Sequence, residues 1–313
     1  MDTIIIIAAA AVLLAAVILL LGYAAFCKAI RRWGGEMTVD DYLHKPNKFW
    51  RTHAYVLYDS MEACKDLEYT DHWTTAVDGL KLYARYYDCG MKDKVIILFH
   101  GYRSMSRVDF GSVIRVYMDE GYSVLLIDQR AHGKSEGKYI GFGALERMDV
   151  PVWVDYVEKT FAPKHIVLDG ISMGAATVLM ASSMDLGDKV RCIIADSAFS
   201  SPREIIANVA KKTYHVPEHP AVDLIGWYAK KLAKYDINLS SEEFVKQSRY
   251  PILFVHGKAD SFVPCHMTER AYEACASEKR IEIVEDADHG MSYIKEPERI
   301  GKAIRDFFEQ YVK

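Results

Sequence analysis

The sequence lacks a strong charge of either sign and any internal repeat. Its 39 lysines and arginines nearly balance 43 aspartates and glutamates, which leaves a net charge of −4. Such a chain does not supply the concentrated positive field that nucleic acid would require as a main partner. Half of the 313 residues are hydrophobic and 26% are charged. These fractions exclude wholesale disorder and are typical of a globular protein with one large or two small domains.

Cysteine-based and phosphate-binding motifs are also missing. The six cysteines are scattered without a Cys-x-x-Cys pair, so we expect free thiols and neither a disulfide framework nor a zinc knuckle. His215–His219 matches a His-x-x-Glu-His zinc pattern, but Pro217 and Pro220 disfavour the helix that would bring both imidazoles to one face. Gly133–Ser135 resembles the end of a phosphate loop, but Asp128 stands where its first glycine is required. We therefore predict neither a metal nor an organic cofactor.

An almost unbroken apolar run extends from Ile4 to Cys27. As a helix, these 24 residues cover roughly 36 Å, enough to cross a bilayer core of about 30 Å. A cleaved signal peptide is the alternative, but its apolar region is usually about 7–15 residues long and follows positive charge. Here only Asp2 precedes the run, and the bulky Phe26 argues against Cys27 as a lipid-attachment site. We predict a transmembrane anchor over residues 1–30.

The flanking charges predict the orientation of this anchor. Lys28, Arg31 and Arg32 follow the run, and no lysine or arginine precedes it. By the positive-inside rule, the rest of the chain is expected on the cytoplasmic side of the membrane. Residues 31–65 are mixed and polar, with several aromatics. We interpret them as a juxtamembrane connector that packs on the following domain or lies near the headgroups.

From residue 66 onward, short apolar runs alternate with helical patterns. Such runs suit strands that are buried on both faces of a parallel sheet. The alternation predicts a doubly wound, mostly parallel α/β domain over residues 66–313, with its binding site beyond the carboxyl ends of the strands. The predicted strands are 80–88, 94–100, 123–128, 165–170, 190–196, 251–257 and 280–286, and the predicted helices are 106–121, 143–161, 173–184 and 297–313.

One long segment interrupts this alternation. More than fifty residues separate the strands at 190–196 and 251–257, and they contain two amphipathic helical patterns. Long insertions over strand ends are often functional, so we predict a helical lid over about residues 199–248. The aromatics of this insertion either line an acyl pocket or pack the lid onto the core, and the pattern leaves both alternatives open. These aromatics are Tyr214, Trp227, Tyr228 and Tyr235.

The central motif is Gly-Ile-Ser-Met-Gly at residues 170–174. It follows a predicted buried strand directly and precedes a helix that is rich in small residues. A Gly-x-Ser-x-Gly sequence in this strand–turn–helix setting is typical of a nucleophile elbow. The tight turn would hold Ser172 in a strained backbone conformation, with the flanking glycines avoiding clashes. Ser172 is therefore the predicted nucleophile.

A serine nucleophile requires a base and an acid that orients the base. His289 follows the last predicted strand, and Asp260 follows the strand before it. The chain order Ser172, Asp260, His289 is the one expected for a triad in this architecture. Asp286 and Asp288 are the alternatives for the acid, but Asp288 adjoins His289 and would point to the other side of an extended loop. We therefore prefer Asp260.

The remaining predicted site residues surround the serine. The backbone N–H groups of Met173, which follows the serine, and of Tyr102, which follows a predicted strand, are the expected oxyanion donors. Tyr102 and Phe199 lie near the carboxyl edge of the sheet, and we expect them to contact substrate. His100 is interpreted as a support for the oxyanion loop.

Five segments in order resemble the α/β-hydrolase superfamily of serine hydrolases. The loop at 128–137 is similar to a D-x-R-G-H-G-x-S-x-G motif of that superfamily, with Ala131 in place of the usual glycine. The segments are spread over residues 100–290, which is most of the chain beyond the apolar run. They are HGYRS (100–104), DQRAHGKSEG (128–137), GISMG (170–174), HGKADSFVP (256–264) and ADHG (287–290).

Within the superfamily, the chain resembles bacterial membrane-anchored esterases related to cinnamoyl and feruloyl esterases. The resemblance implies an α/β-hydrolase fold and hydrolysis of small-molecule acyl esters through an acyl-enzyme. It assigns Ser172, Asp260 and His289 to the triad, and Tyr102 and Met173 to the oxyanion hole. A peptidase, an amidase or an acyltransferase would share these residues. A non-catalytic binding module is a weaker alternative, because such proteins commonly lose the nucleophile or the base.

Overall fold

The computed structural model describes residues 2–32, 43–44 and 48–313. Eight strands form one sheet, in the order β1-β2-β4-β3-β5-β6-β7-β8. β2 is antiparallel to β1 and β4, and all other neighbours are parallel. The strands are β1 (Thr70–Thr75), β2 (Lys81–Tyr87), β3 (Lys94–Phe99), β4 (Ser123–Asp128), β5 (His165–Ile171), β6 (Val190–Asp196), β7 (Ile252–Gly257) and β8 (Lys279–Val284).

Helices alternate with the strands, as the sequence predicts. The predicted helix over 143–161 is wrong at its start: a 3₁₀ turn over Glu146–Met148 precedes a helix that begins at Val150. The Glu146 carboxylate accepts hydrogen bonds from the N–H groups of Gly141 and Gly143, which holds this stretch as a loop. The α-helices are α1 (Asp2–Ile30), α2 (Lys48–Ala63), α3 (Ser106–Asp119), α4 (Val150–Phe161), α5 (Met173–Ala181), α6 (Pro202–Tyr214), α7 (Glu218–Tyr228), α8 (Ser241–Val245), α9 (His266–Ala274), α10 (Ser292–Lys295) and α11 (Pro297–Tyr311).

Helices cover both faces of the sheet. On one face, Trp153 of α4 and Val178 of α5 belong to an apolar cluster that includes residues of β3 and β5. On the other face, Ile114 of α3 and Phe307 of α11 pack against the same strands. Because both faces are buried, the central strands are nearly continuous runs of valine, isoleucine and leucine. The doubly wound α/β prediction is confirmed.

The segment between β6 and β7 is helical and contains α6, α7, a π-helix over Ala229–Ala233 and α8. A third apolar cluster joins this insertion to the carboxyl end of the sheet. In it, Val222 and Ile225 of α7 accompany Met173, which follows the predicted nucleophile. The insertion therefore covers the part of the sheet where the predicted nucleophile lies.

By its length and composition, α1 is able to cross a membrane. Residues 3–21 are exposed, whereas Gly22, Phe26 and Ile30 are buried at a spacing of four residues. An added Cβ on Gly22 would lie 2.8 Å from Leu224 Cβ, so the glycine permits close approach of α7. The last turns of α1 thus pack into the third apolar cluster, while the anchor boundary at residue 30 stays a prediction.

The predicted connector contains α2, which packs against α3. Ala54 and Leu57 are buried, and Tyr55 and Tyr58 face outward. This amphipathic pattern accounts for the mixed character of the sequence here. Residues 33–42 and 45–47 of the predicted connector lie outside the described residues.

Candidate active site

Ser172 lies at a sharp turn between β5 and α5. Its backbone has φ 56° and ψ −113°, a strained conformation for a residue with a side chain. The turn depends on its flanking glycines, because an added Cβ on Gly174 would lie 1.7 Å from the carbonyl oxygen of Phe99. The local geometry matches the nucleophile elbow that the sequence predicts.

The structure brings the three predicted triad residues together. His289 Nε2 lies 2.9 Å from Ser172 Oγ, and His289 Nδ1 lies 2.7 Å from Asp260 Oδ2. Because Nδ1 carries the proton that is donated to the carboxylate, Nε2 has a lone pair that can accept the serine proton. All three side chains are buried, with 6%, 6% and 8% of Ser172, His289 and Asp260 exposed. The site therefore sits in a low-dielectric environment, where such hydrogen bonds are strengthened.

Hydrogen bonds and charge keep Asp260 ionised. Its Oδ1 accepts from the N–H groups of Phe262 and Val263 at 2.8 and 2.7 Å. Burial alone would raise the pKa of this carboxyl, but the charges and hydrogen bonds of His289 and His256 lower the pKa far below its usual range. For His289, burial lowers the pKa, and the adjacent Asp260 carboxylate raises it more, so the net pKa lies above the ordinary value. The pair is arranged to stabilise an imidazolium.

The other candidate acids make different contacts. Asp288 Oδ1 accepts from the Ser261 N–H and from the His289 backbone N–H, and Oδ2 lies 3.2 Å from His53 Nε2. Burial raises the pKa of Asp288, but these hydrogen bonds bring it down to about 2. Asp286 is exposed. The geometry thus favours Asp260 as the partner of the imidazole.

The loop that carries Tyr102 lies against the serine. An added Cβ on Gly101 would be 3.4 Å from Ser172 Cβ. His100 supports this loop: its Nε2 accepts from the Gln129 N–H at 3.0 Å, and its Nδ1 donates to the Gly101 carbonyl at 2.8 Å. Within the described residues, the N–H groups of Tyr102 and Met173 have no hydrogen-bond acceptor. Both are therefore available to a developing oxyanion.

Side chains of the same loop cap the end of α1. The Tyr102 hydroxyl donates to the Ala29 carbonyl at 2.7 Å, and the Arg103 guanidinium donates to the Lys28 carbonyl at 2.7 Å. These carbonyls are among the unsatisfied acceptors at a helix terminus. The Tyr102 ring also stacks on Phe142, with 4.7 Å between ring centroids. The predicted oxyanion loop and the predicted anchor are in direct contact.

A small cavity opens beside the serine. Of the two residues predicted to contact substrate, Tyr102 is among the lining residues of this cavity and Phe199 is not. Phe199 is instead buried, with its ring 6.2 Å from Phe142. Among the residues that the structure describes, the lining is Val56, Leu57, Ser60, Gly101, Tyr102, Ser104, Val108, Asp109, Ser112, Ile171, Ser172, Phe262, His289, Gly290, Met291 and Ile294.

The sequence did not predict two groups of residues that form this site. Residues of α2, including Leu57, line the cavity although they precede the α/β pattern. Asp109 accepts hydrogen bonds from the Gly101 N–H at 2.6 Å and from the Ser104 hydroxyl at 2.6 Å. It therefore holds in place the loop that carries Tyr102. Asp109 lies in the first turn of α3, where an acidic residue ordinarily indicates only a favourable helix start. Their roles depend on contacts that no local pattern encodes.

The aromatics of the insertion do not line the described cavity. Tyr228 packs on α1, with its ring 5.8 Å from that of Phe26. The hydroxyl of Tyr235 donates to the Ile140 carbonyl at 3.2 Å, and Trp227 is 50% exposed. Packing, rather than an acyl pocket, is the alternative that the structure favours for Tyr228 and Tyr235.

The loop at 128–137 and the His215–His219 pattern make contacts that support the fold. Arg130 forms a bidentate pair with Asp149 at 2.7 and 2.6 Å, which ties down the loop at 128–137. His215 ends α6 with a left-handed backbone, and His219 donates its Nδ1 proton to the Asp223 carboxylate at 2.6 Å. In the part of the chain that is described, no three His, Cys, Asp or Glu side chains are grouped as metal ligands.

Comparison with known proteins relates this chain to a family. A family model described as "Serine aminopeptidase, S33" matches residues 90–237. The uncharacterized protein YqkD of Bacillus subtilis is 30% identical over 216 residues, covering 68% of this chain and 70% of YqkD. Lysophosphatidylserine lipase ABHD12 of Danio rerio is 26% identical over 191 residues, covering 60% of this chain and 48% of the lipase.

A solved structure has the same architecture. The Pyrococcus furiosus esterase Pf2001 superimposes with a TM-score of 0.65 and 25% identity, covering 90% of this chain and 96% of the esterase. The sheet order, the elbow and these likenesses agree with one another. The chain therefore belongs to the α/β-hydrolase family of serine hydrolases and is an enzyme of that class.

Proposed function

We propose that the protein hydrolyses carboxylic esters through an acyl-enzyme intermediate, with Ser172, His289 and Asp260 as its triad. The observation that carries this proposal is the continuous hydrogen-bond chain from Ser172 Oγ through the His289 ring to Asp260 Oδ2, with distances of 2.9 and 2.7 Å. Nucleophile, base and orienting acid are within the reach that this chemistry requires.

In the first half of the reaction, Ser172 Oγ attacks the ester carbonyl carbon while His289 Nε2 takes the serine proton. The negative charge that develops on the carbonyl oxygen is bound by the N–H groups of Met173 and Tyr102. The tetrahedral intermediate collapses by breaking the bond to the alcohol oxygen, which receives its proton from His289. The alcohol leaves, and the acyl group remains on Ser172.

In the second half, water attacks the acyl carbon and gives a proton to His289. Collapse of this intermediate returns the proton to Ser172 Oγ and releases the carboxylic acid. Throughout, Asp260 holds the imidazole orientation and stabilises its protonated form. Tyr102 and Phe199 are the residues we propose for substrate contact; Phe199 would require the aromatic packing around Phe142 to open.

We also propose that α1 spans a bilayer, with the hydrolase domain on the cytoplasmic side. The exposed apolar surface of residues 3–21 supports the span, and the cluster of Lys28, Arg31 and Arg32 supports the side. We retain residues 1–30 as the anchor, 31–65 as the connector, 66–313 as the hydrolase domain and about 199–248 as its lid.

The test uses the full chain in detergent micelles with p-nitrophenyl esters of increasing acyl length. We expect hydrolysis with a defined length optimum, and a loss of about 10⁴-fold or more in kcat for Ser172→Ala. Ser183→Ala, which changes a serine just beyond α5, is the matched control and should retain the parent rate. Ester hydrolysis at equal rates in the parent and in Ser172→Ala would contradict the proposal.

A peptidase is the second candidate, because the matching family model is described as a serine aminopeptidase. The same triad would serve, but the amine leaving group needs stronger protonation by His289. Aminoacyl p-nitroanilides distinguish the two. Turnover of anilides without turnover of esters would replace the esterase proposal with the peptidase.

A further inference from the structure

A surface of the insertion combines exposed apolar groups with exposed lysine side chains. We call residues 211–234 the lid face. Trp227 is 50% exposed and Leu232 is 42% exposed. Lys230 and Lys231 follow Trp227 by three and four positions, so they lie on the same side of the helical segment. Aromatic and lysine side chains in this combination are typical of a segment at a membrane surface.

The charge of the lid face is opposite to that of the whole chain. Its five lysines and two carboxylates give a net charge of +3, whereas the whole chain carries −4. Both carboxylates, Glu218 and Asp223, are already paired with Arg203 of α6. All five lysines are exposed, and among the described residues none has a carboxylate partner. The lysines are Lys211, Lys212, Lys230, Lys231 and Lys234.

The lid face lies where α1 leaves the domain. The Tyr228 hydroxyl donates to the Leu19 carbonyl at 3.0 Å, and the side chain of Leu224 lies against Gly22. Tyr214, the last residue of α6, also belongs to the lid face, and the centroid of its ring lies 4.2 Å from the Lys28 ammonium of α1. The lid face therefore contacts α1 around the last exposed turn and just beyond it.

The exposed length of α1 fixes where a bilayer would end. Residues 3–21 are exposed, and at about 1.5 Å per residue these turns cover roughly 28 Å, close to the bilayer core of about 30 Å. The polar boundary of the membrane then falls near Gly22, at the level of α7. A lid face that contacts α1 at this level is in reach of the headgroups.

We propose that the lid face docks on the leaflet from which α1 emerges, with Trp227 and Leu232 at the headgroup boundary and the lysines bound to anionic phospholipids. This inference rests on the proposed bilayer span of α1, but not on the reaction assigned to Ser172. Charge complementarity to the negative surface of a leaflet supplies the attraction. The insertion that covers Met173 would thereby be held against lipid.

The experiment places the full chain in nanodiscs of phosphatidylcholine brominated near the top of its acyl chains, with or without 30% phosphatidylglycerol. The fluorescence of Trp227 is obtained by subtracting the emission of Trp227→Phe from the emission of the parent protein. We expect bromolipid to quench this difference signal at least twofold in the anionic nanodiscs, while aqueous acrylamide has little effect. Quenching should be weaker without phosphatidylglycerol.

Charge reversal tests the role of the lysines. In Lys230→Glu/Lys231→Glu/Lys234→Glu, the bromolipid quenching should fall at least twofold, whereas Lys159→Glu, an exposed change on α4, should leave it unchanged. An unaltered near-UV circular dichroism spectrum verifies folding of each variant. Equal quenching in all variants and both lipids would overturn the assignment to anionic lipid. Insertion into nanodiscs with Trp227 quenched by acrylamide alone would overturn the docking, and failure to insert would overturn the bilayer span as well.

Discussion

Replacing Phe26 by alanine should destabilise the hydrolase domain, although this residue lies in the predicted anchor. The Phe26 side chain is 1% exposed, and its ring lies 5.6 Å from that of Tyr139 and 5.8 Å from that of Tyr228. Truncating a buried phenylalanine costs about 3–5 kcal/mol, from lost burial and from the cavity left behind. The domain should therefore lose that amount of unfolding free energy.

Thermal unfolding of the full chain in detergent, followed by near-UV circular dichroism, measures this loss. For a domain of about this size, 1 kcal/mol shifts Tm by about 2–4 °C, so Phe26→Ala should lower Tm by about 6–20 °C. Leu13→Ala is the matched control on the same helix, since Leu13 is 67% exposed and should shift Tm very little. Equal Tm values for the parent and both variants would refute the reasoning and show that the end of α1 is dispensable to the domain.

Two further changes test the electrostatics. Burial lowers the pKa of His289, but the adjacent Asp260 carboxylate raises it more, so the net pKa lies above the usual 6.5. Activity should therefore fall as the pH drops below the pKa of His289. Asp260→Asn should move this acid limb of kcat/KM to lower pH and reduce kcat by about 10⁴-fold; an unmoved limb would contradict the assignment. Burial raises the pKa of Asp169, which accepts from the Tyr117 hydroxyl, to about 7. Between pH 3.8 and 7 the folded state then retains a proton that the unfolded chain has lost, so stability falls as pH rises. Asp169→Asn should gain up to about 4 kcal/mol at pH 8 and little near pH 4, and equal Tm profiles for both proteins would argue against this buried acid.

Much of the fold follows from local patterns in the sequence. Strands β3 to β7 are short, mostly apolar runs because both faces of the sheet are covered there, and burial on two sides leaves that signature. β2 carries polar residues, and β8 at the other sheet edge is only half-buried. β1 is missing from the sequence-based prediction because Thr70–Thr75 lies at the sheet edge and alternates between exposed and half-buried residues. Its pairing with β2 is a tertiary contact that its own composition does not reveal.

The triad candidates were also accessible to sequence reasoning, since each follows a strand whose carboxyl end lies at one edge of the sheet. The supporting contacts were not accessible. Asp109 and Leu57 reach the site from helices whose patterns indicate only amphipathic packing. The burial of Phe26 could not be predicted either, because an apolar residue has the same appearance in a lipid-facing helix and in a protein core.

The identity of the nucleophile is tested most directly by covalent trapping. A fluorophosphonate forms a phosphorus–oxygen bond to an activated serine and loses fluoride, and the serine proton passes to the adjacent base. Intact-mass and peptide mass spectrometry of the full chain should find one adduct per chain, on Ser172. The adduct should be absent in Ser172→Ala and retained in Ser183→Ala. An adduct on another residue, or undiminished labelling of Ser172→Ala, would contradict the assignment of Ser172 as the nucleophile.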